Sequence, residues 1–176
     1  MVLSGGALVT SQVLVSRYAS SVETQNLLGG ESDTTAEQVS EITGPLNILL
    51  VGVDPRTEEQ TPLSDSIMVA HVPRSMDQVY MFSVPRDLVV EIPAFQKTGF
   101  KGTRTKINAA MGFGSSVGNG KHDVVQGFDL LAKTVQQLTG LPKFDAGTII
   151  NFNGFKAIVD AMGGVTMTID QNVKSE

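Results

Sequence analysis

Between Asn47 and Pro93 the chain carries three apolar runs, and each has charged side chains at the same relative end. Leu46–Val53 reads as a buried strand that ends in Asp54, with Arg56 two residues later. Ser66–Val72 begins just after Asp65, and Gln78–Val84 runs into Pro85-Arg86-Asp87. The stretch Pro73-Arg74-Ser75-Met76-Asp77 between these two has turn chemistry, so they are expected to form an antiparallel hairpin. Asp65 lies about ten residues before that turn and Arg86 about ten after it, which puts both at one sheet edge. The loop Pro55–Ser64 returns the chain to that edge and brings Asp54 there as well. Two carboxylates and two guanidiniums are therefore expected to meet where three buried strands end.

A length of 176 residues suits one domain with a core of its own and a tail. There is no cysteine, which excludes disulfides, thiolate metal sites and cysteine nucleophiles. The net charge of −5 is unevenly spread. Residues 1–65 hold nine acids against two arginines, whereas residues 93–122 hold Lys97, Lys101, Arg104, Lys106 and Lys121 and no acid. Such a segment in an acidic chain points to a local anionic ligand and not to nucleic acid. For Lys97, Lys101 and Lys121 a solvated loop is an equal reading.

Met1–Val15 is uncharged and fairly apolar, but too short and too rich in Ser, Thr and Gly to span a bilayer alone. It reads as the outer end of a membrane helix or as an ordinary helix. Ser16–Gly44, rich in Ser, Glu, Thr and Gln, reads as a stalk. Residues 1–44 are thus assigned to anchor remnant and stalk, and residues 45–176 to the folded domain.

Within that domain Leu88–Ile92 is expected to be a short strand and Ala94–Thr105 a loop. A helix is expected to open near Lys106–Ala110, capped by Asn108 and halted by the glycines of 112–120. Asp123 should cap a longer helix, whose Val124, Phe128, Leu131, Val135 and Leu138 recur at helical spacing. Ala146–Phe152 reads as a strand. Phe155, Ile158, Val159 and Met162 make one face of a short helix stopped by Gly163-Gly164, and Val165, Met167 and Ile169 alternate as a final strand. The order predicts an α/β fold with a mixed central sheet covered by helices on both faces.

If Asp54 and Asp65 sat about 5 Å apart, their repulsion would be about 3 kcal/mol at an effective dielectric of about 20. A divalent cation such as Mg²⁺, a shared proton or neighbouring guanidiniums would relieve it. The alternative is that both aspartates only cap turns. Arg86, aimed by Pro85, suits bidentate phosphate binding, with a plain Arg86–Asp87 or Arg56–Asp54 ion pair as the competing reading. Gly114-Ser115-Ser116-Val117-Gly118 matches G-x-S-x-G, but lacks the strand before and the helix after that a nucleophile elbow requires. Gly112-Phe113-Gly114 has valine at 117 where a dinucleotide loop has its third glycine.

NILLVGVDPR, SDSIMVAHV, MFSVPRDLVVEIP, KINAA, LTGLP and FNGFKAIVDAMGGV occur in that order from about residue 46 to 170. In these segments the chain resembles the LytR–CpsA–Psr family of cell-envelope glycopolymer transferases. The resemblance implies a bacterial protein with one N-terminal membrane helix and its catalytic domain on the extracytoplasmic face. It implies a phosphotransferase that passes a glycosyl phosphate, as in teichoic acid or arabinogalactan attachment, from a polyprenyl-pyrophosphate-linked glycan to a peptidoglycan hydroxyl. The lipid would lie in an apolar tunnel. Asp54 and Asp65 match the family's Mg²⁺-binding acidic pair, with Asp65 and Arg86 as catalytic residues. Arg56, Arg86 and Lys106 match its pyrophosphate-binding positions. The family domain runs past the GGV strand and supplies more arginines there. The chain is therefore expected to hold the N-terminal part of that domain, truncated at its C-terminus, with a non-catalytic module binding the lipid pyrophosphate or cell-wall glycan as the alternative.

Overall fold

The computed structural model describes residues 44–168 apart from Glu58, together with Gln171. The expected anchor remnant and stalk lie outside the described residues, Gly44 excepted. No helix among the described residues is long and apolar enough to cross a membrane.

Among the described residues six strands and three α-helices follow one another as β1 (Leu46–Val53), β2 (Ser64–Val72), β3 (Tyr80–Val84), β4 (Val89–Ile92), β5 (Thr103–Lys106), α1 (Ala109–Ser115), α2 (Val124–Thr139), β6 (Ala146–Ile150) and α3 (Phe152–Ala161). The central sheet has the order β3-β2-β1-β6, and β4 with β5 forms a separate ribbon. Pairing is antiparallel for β3-β2 and β2-β1 but parallel for β1-β6, so the sheet is mixed as expected. The turn at 73–77 closes with Met76 N–H donating to the Pro73 carbonyl at 3.0 Å.

Alternation along β1 and β2 sends Leu49, Val51, Val53, Ile67 and Val69 to one face. There they share a core with Met111 of α1 and with Phe128, Leu131 and Val135 of α2, all fully or nearly fully buried. Each of the large members contributes about 1.5–3 kcal/mol through burial. Asp123 caps α2 by accepting from the Gln126 N–H at 3.0 Å, and Gly140 ends it in the left-handed region. Leu138, expected on the buried stripe, is exposed near the end of α2, and Leu130 is buried instead.

Helices were expected on both faces. Among the described residues those that build the core, α1 and α2, lie on one. Ile48, Leu50 and Met68 on the other are half-buried, and Phe155 and Ile158 of α3 are exposed, as is Met162 just after it.

Four local expectations need correction. The loop over 94–105 contains β5, where Thr103 and Thr105 alternate with Arg104 and Lys106 against β4. Asn108 precedes α1 with helical backbone angles and no side-chain cap bond. Gly112 and Gly114 do not halt α1 but lie within it at its contacts, and the helix ends at Ser115, ahead of Gly118 and Gly120. A Cβ on Gly112 would meet Thr61 Cγ2 at 2.8 Å, one on Gly114 would meet Leu130 Cβ at 2.7 Å, and one on Gly127 of α2 would meet the Met111 carbonyl oxygen at 2.6 Å. Lastly, Val165–Thr168 forms no strand, since no ladder partner lies beside it among the described residues, and Ile169 lies outside them.

Polar ties hold the periphery. Asp129, largely buried on α2, accepts from Lys97 at 3.0 Å and from Lys133 at 3.2 Å, which fastens the turn after β4 to the helix. Lys97 is thus a structural cation, while Lys101 and Lys121 are exposed. At the N-terminal end of β1, Asp145 accepts from the Asn47 N–H at 2.9 Å and pairs with Lys143 at 2.7 Å. Burial raises the Asp145 pKa, but the Lys143 bond, the Asn47 N–H and the Lys143 charge together outweigh it and leave the carboxyl below its ordinary 3.8.

Two tests follow from this packing. Gly127→Ala forces a methyl into the Met111 backbone and should lower the unfolding free energy by about 1–3 kcal/mol in urea titrations; unchanged stability would contradict the close approach. Because the folded Asp145 pKa is depressed, its stabilisation is present above the unfolded value and lost as pH falls through the folded one. Between about pH 5 and pH 2.5 the parent should therefore lose more stability than Asp145→Asn.

Candidate functional site

The register places the predicted charges at one end of the sheet. Val53, the last residue of β1, pairs with Ser64, whereas Gly52 pairs with Ser66. Asp65 is the extra residue of that irregularity, and Asp54 follows β1 directly. Bulges of this kind re-aim a side chain where pairing ends. Val84 of β3 pairs with Ile67, so Arg86 emerges at the same end. The carboxyl ends of the parallel strands β1 and β6 lie there too, the usual ligand position in open α/β sheets.

Arg86 Nη1 donates to Asp65 Oδ1 at 2.6 Å, at the sheet edge where the hairpin count put both residues. Arg56 Nε lies 3.6 Å from Asp54 Oδ2. The turn that carries Arg86 is closed by the Leu88 N–H donating to the Pro85 carbonyl at 3.0 Å. It is fastened from outside, with Ile107 N–H on the Leu88 carbonyl at 2.9 Å and Asn108 N–H on the Arg86 carbonyl at 3.2 Å. The Asn108 carbonyl in turn accepts from Ser64 N–H and Oγ, each at 3.4 Å. The segment Lys106–Asn108 thereby links the start of β2 to the Arg86 turn.

Lys106 joins the same row of charges. Its Nζ lies 2.7 Å from Asp87 Oδ1, and Asp87 Oδ2 lies 3.7 Å from Arg86 Nε. The bond from Lys106, with its charge and that of Arg86, holds the Asp87 carboxyl below its ordinary value against a smaller opposing effect of desolvation. The five predicted residues Asp54, Arg56, Asp65, Arg86 and Lys106 thus fall into two bonded groups at one sheet end. Sequence reasoning named Asp87 only as an ion-pair partner of Arg86 and missed its bond to Lys106. It missed Ser64 and the Asn108 peptide altogether, because backbone clasps leave no residue-type signature. Recognising β5 would have shown Lys106 opposite Val89.

A cleft of about 460 Å³, with none of these charged residues in its lining, is bounded by Leu63, Phe100, Ala109 and Phe113 and by the polar Thr61, Thr98, Ser116 and His122. Phe100 and Phe113 stack with centroids 4.5 Å apart. His122 Nδ1 faces Ser115 Oγ at 3.1 Å. Ser116, the serine of the G-x-S-x-G pattern, follows the C-terminal end of α1, with a helix where a nucleophile elbow needs a strand.

Fold and site together define a mixed α/β domain whose strand ends carry paired acids and bases. The LytR_cpsA_psr family matches residues 11–176, and the chain belongs to it. Among curated relatives, the polyisoprenyl-teichoic acid–peptidoglycan teichoic acid transferase TagU of Halalkalibacterium halodurans is 33% identical over 70% of this chain and 34% of its own length. TagU of Bacillus mycoides is 30% identical over 97% of this chain and 50% of its own length. The chain thus spans about a third to a half of the relatives it matches. Among solved structures, protein gbs0355 of Streptococcus agalactiae superposes with a TM-score of 0.58 at 27% identity, covering 72% of this chain and 39% of that one. The LytR-CPS2A-psr family protein YwtF (TagT), which holds octaprenyl pyrophosphate lipid, shares the fold with a TM-score of 0.54 at 24% identity, covering 80% and 50%.

The paired side chains are a third to four-fifths exposed, so their contacts hold little of the fold together. Arg86→Ala and Asp65→Asn should each change the unfolding free energy by less than about 1 kcal/mol. A larger loss in denaturant titrations would make the Asp65–Arg86 pair structural.

Proposed function

We propose that this domain transfers a glycosyl phosphate from a polyprenyl-pyrophosphate-linked glycan to a peptidoglycan hydroxyl at the extracytoplasmic face of the bacterial membrane. The observation that carries this reading is the Asp65–Arg86 contact at 2.6 Å, set in a row of alternating acids and bases at the strand ends. The kinship with TagU teichoic acid transferases, 30–34% identical, supports the same reading.

Transfer of this kind needs charge neutralisation and alignment more than a protein nucleophile. Arg56, Arg86 and Lys106 hold the pyrophosphate oxygens, and the cleft lined by Leu63, Phe100 and Phe113 is the apolar surface that takes part of the lipid. The acceptor hydroxyl oxygen attacks the phosphorus nearer the glycan. As that P–O bond forms, the bond to the bridging oxygen breaks and polyprenyl phosphate leaves. The hydroxyl proton passes to Asp65, whose Oδ2 is offered to it while Arg86 occupies Oδ1. General-base help of this sort is worth about 10²–10⁴-fold.

The donor set also fits a hard divalent cation. Asp54, Asp65 and Asp87 against Arg56, Arg86 and Lys106 leave the cluster with no net charge, so the charge of a pyrophosphate is not balanced by the protein alone. Among the described residues no group of three or more His, Asp or Glu assembles. A cation here would rest on Asp54 and Asp65 and complete its shell with phosphate oxygens and water, as Mg²⁺ commonly does. Bound there, Mg²⁺ would supply charge neutralisation.

The test is transfer from a polyprenyl-pyrophosphate glycan donor to peptidoglycan, followed by release of polyprenyl phosphate. Arg86→Ala and Asp65→Asn should each lose at least about 100-fold, and chelation of divalent cations should stop turnover. Full turnover in Arg86→Ala would defeat the proposal. Saturable donor binding without product in the parent chain would replace it with the binding-module reading.

A further inference from the structure

Arg86 and Lys106 are long, half-exposed cations that arrive from different strands and carry like charge. Left alone, each would sample many rotamers and repel the other, so gripping one anion with both would cost ordering entropy. Their backbones are already fixed. Arg86 and Asp87 are the two central residues of the turn closed by Leu88 and Pro85, and the Asn108 N–H holds that turn through the Arg86 carbonyl. Lys106 sits opposite Val89, at the end of the ribbon that adjoins this turn. What remains to be ordered is the side chains, and one group lies between them. Asp87 offers Oδ1 to Lys106 Nζ at 2.7 Å and Oδ2 to Arg86 Nε at 3.7 Å. Arg86 meanwhile reaches Asp65 through Nη1, so its guanidinium is held at two places.

We propose that Asp87 is a positioning residue, whose carboxylate splays Arg86 and Lys106 into a two-cation fork for the pyrophosphate. The inference rests on the reading of the site given above and goes beyond it by assigning a role to an acid that touches neither lipid nor acceptor. The sign of the effect separates this role from that of a bystander. A carboxylate with no positioning role stands close to the phosphates and repels them, so removing its charge should leave binding unchanged or tighten it. A positioning carboxylate does the reverse. Its loss frees both cations, and binding weakens although the site has become more positive.

The test uses the whole chain and octaprenyl pyrophosphate as probe, titrated calorimetrically at fixed Mg²⁺, with thermal melting recorded for each variant. Asp87→Asn should weaken binding by about 5- to 20-fold with its melting temperature unchanged. Asp87→Glu, which keeps the charge within reach of Lys106, should recover most of that loss. In a Lys106→Met background the further loss from Asp87→Asn should shrink to less than about twofold, because the carboxylate then has only one cation to hold. Unchanged or tighter binding in Asp87→Asn would overturn the proposal, as would a loss of the same size with and without Lys106. A parent chain that does not bind the probe would remove the reading of the site itself, whereas a parent that binds beside an unaffected Asp87→Asn removes only this inference.

Discussion

The peptide groups of Asn108 tie β2 to the turn after β3 beyond the last rung of the ladder that the two strands share. The Asn108 carbonyl takes the Ser64 N–H and hydroxyl from the head of β2, and its N–H supports the Arg86 carbonyl in the turn after β3. Each bond is long, but Ser64 is fully buried and its hydroxyl has no water to turn to. A buried hydroxyl left without a partner costs about 1–3 kcal/mol, so the carbonyl is held against Ser64 even at modest geometry. Through this clasp Asp65 and Arg86, which differ by 21 residues in the chain, lie at a set separation.

The clasp needs α1 in place, since Asn108 directly precedes it. That helix is held by closeness and not by bulk. Gly112, Gly114 and Gly127 let its backbone approach Thr61, Leu130 and α2 at distances that a methyl group would forbid. Glycine in a helix costs about 1 kcal/mol relative to alanine, and here that cost is met by contact with a fully buried Met111 and Leu130. The same contacts shape the cleft, because Ala109, Gly112 and Phe113 form one wall of it.

These features divide what could be read in the chain from what could not. β1, β2 and α2 announce themselves because one face of each is buried, and burial imposes a period of two or about 3.6 on residue type; β3, expected to be buried with them, is largely exposed and is legible only as an apolar run after the turn. Counting along the hairpin then fixes the end at which Asp54, Asp65 and Arg86 emerge, within the one-residue irregularity at Asp65. The ribbon strand β5 is short and polar on both faces, and exposed Thr and Lys carry no periodic signal. Glycine has two opposite meanings, a break in a helix or room for a neighbour, and only the packing of α1 on α2 decides between them. Val165 and Met167 show the converse: alternation states that a strand would be half-buried, not that a partner stands beside it.

The two roles assigned to Asp65 compete for the same atoms. A carboxylate oxygen that ligates a cation has given up the lone pair it would use to take a proton, and one that accepts from Arg86 is partly engaged already. Only Oδ1 is taken by the guanidinium, so the two roles are compatible when cation and hydroxyl proton fall to Oδ2 at different stages, or when Asp54 carries most of the metal. On the proposed reading Arg86 would then do more than bind phosphate. By occupying Oδ1 it fixes the plane of the Asp65 carboxylate and so the direction from which Oδ2 can be approached. An exposed ion pair worth little to stability has in this place a geometric value, which is why its loss should appear in turnover long before it appears in melting.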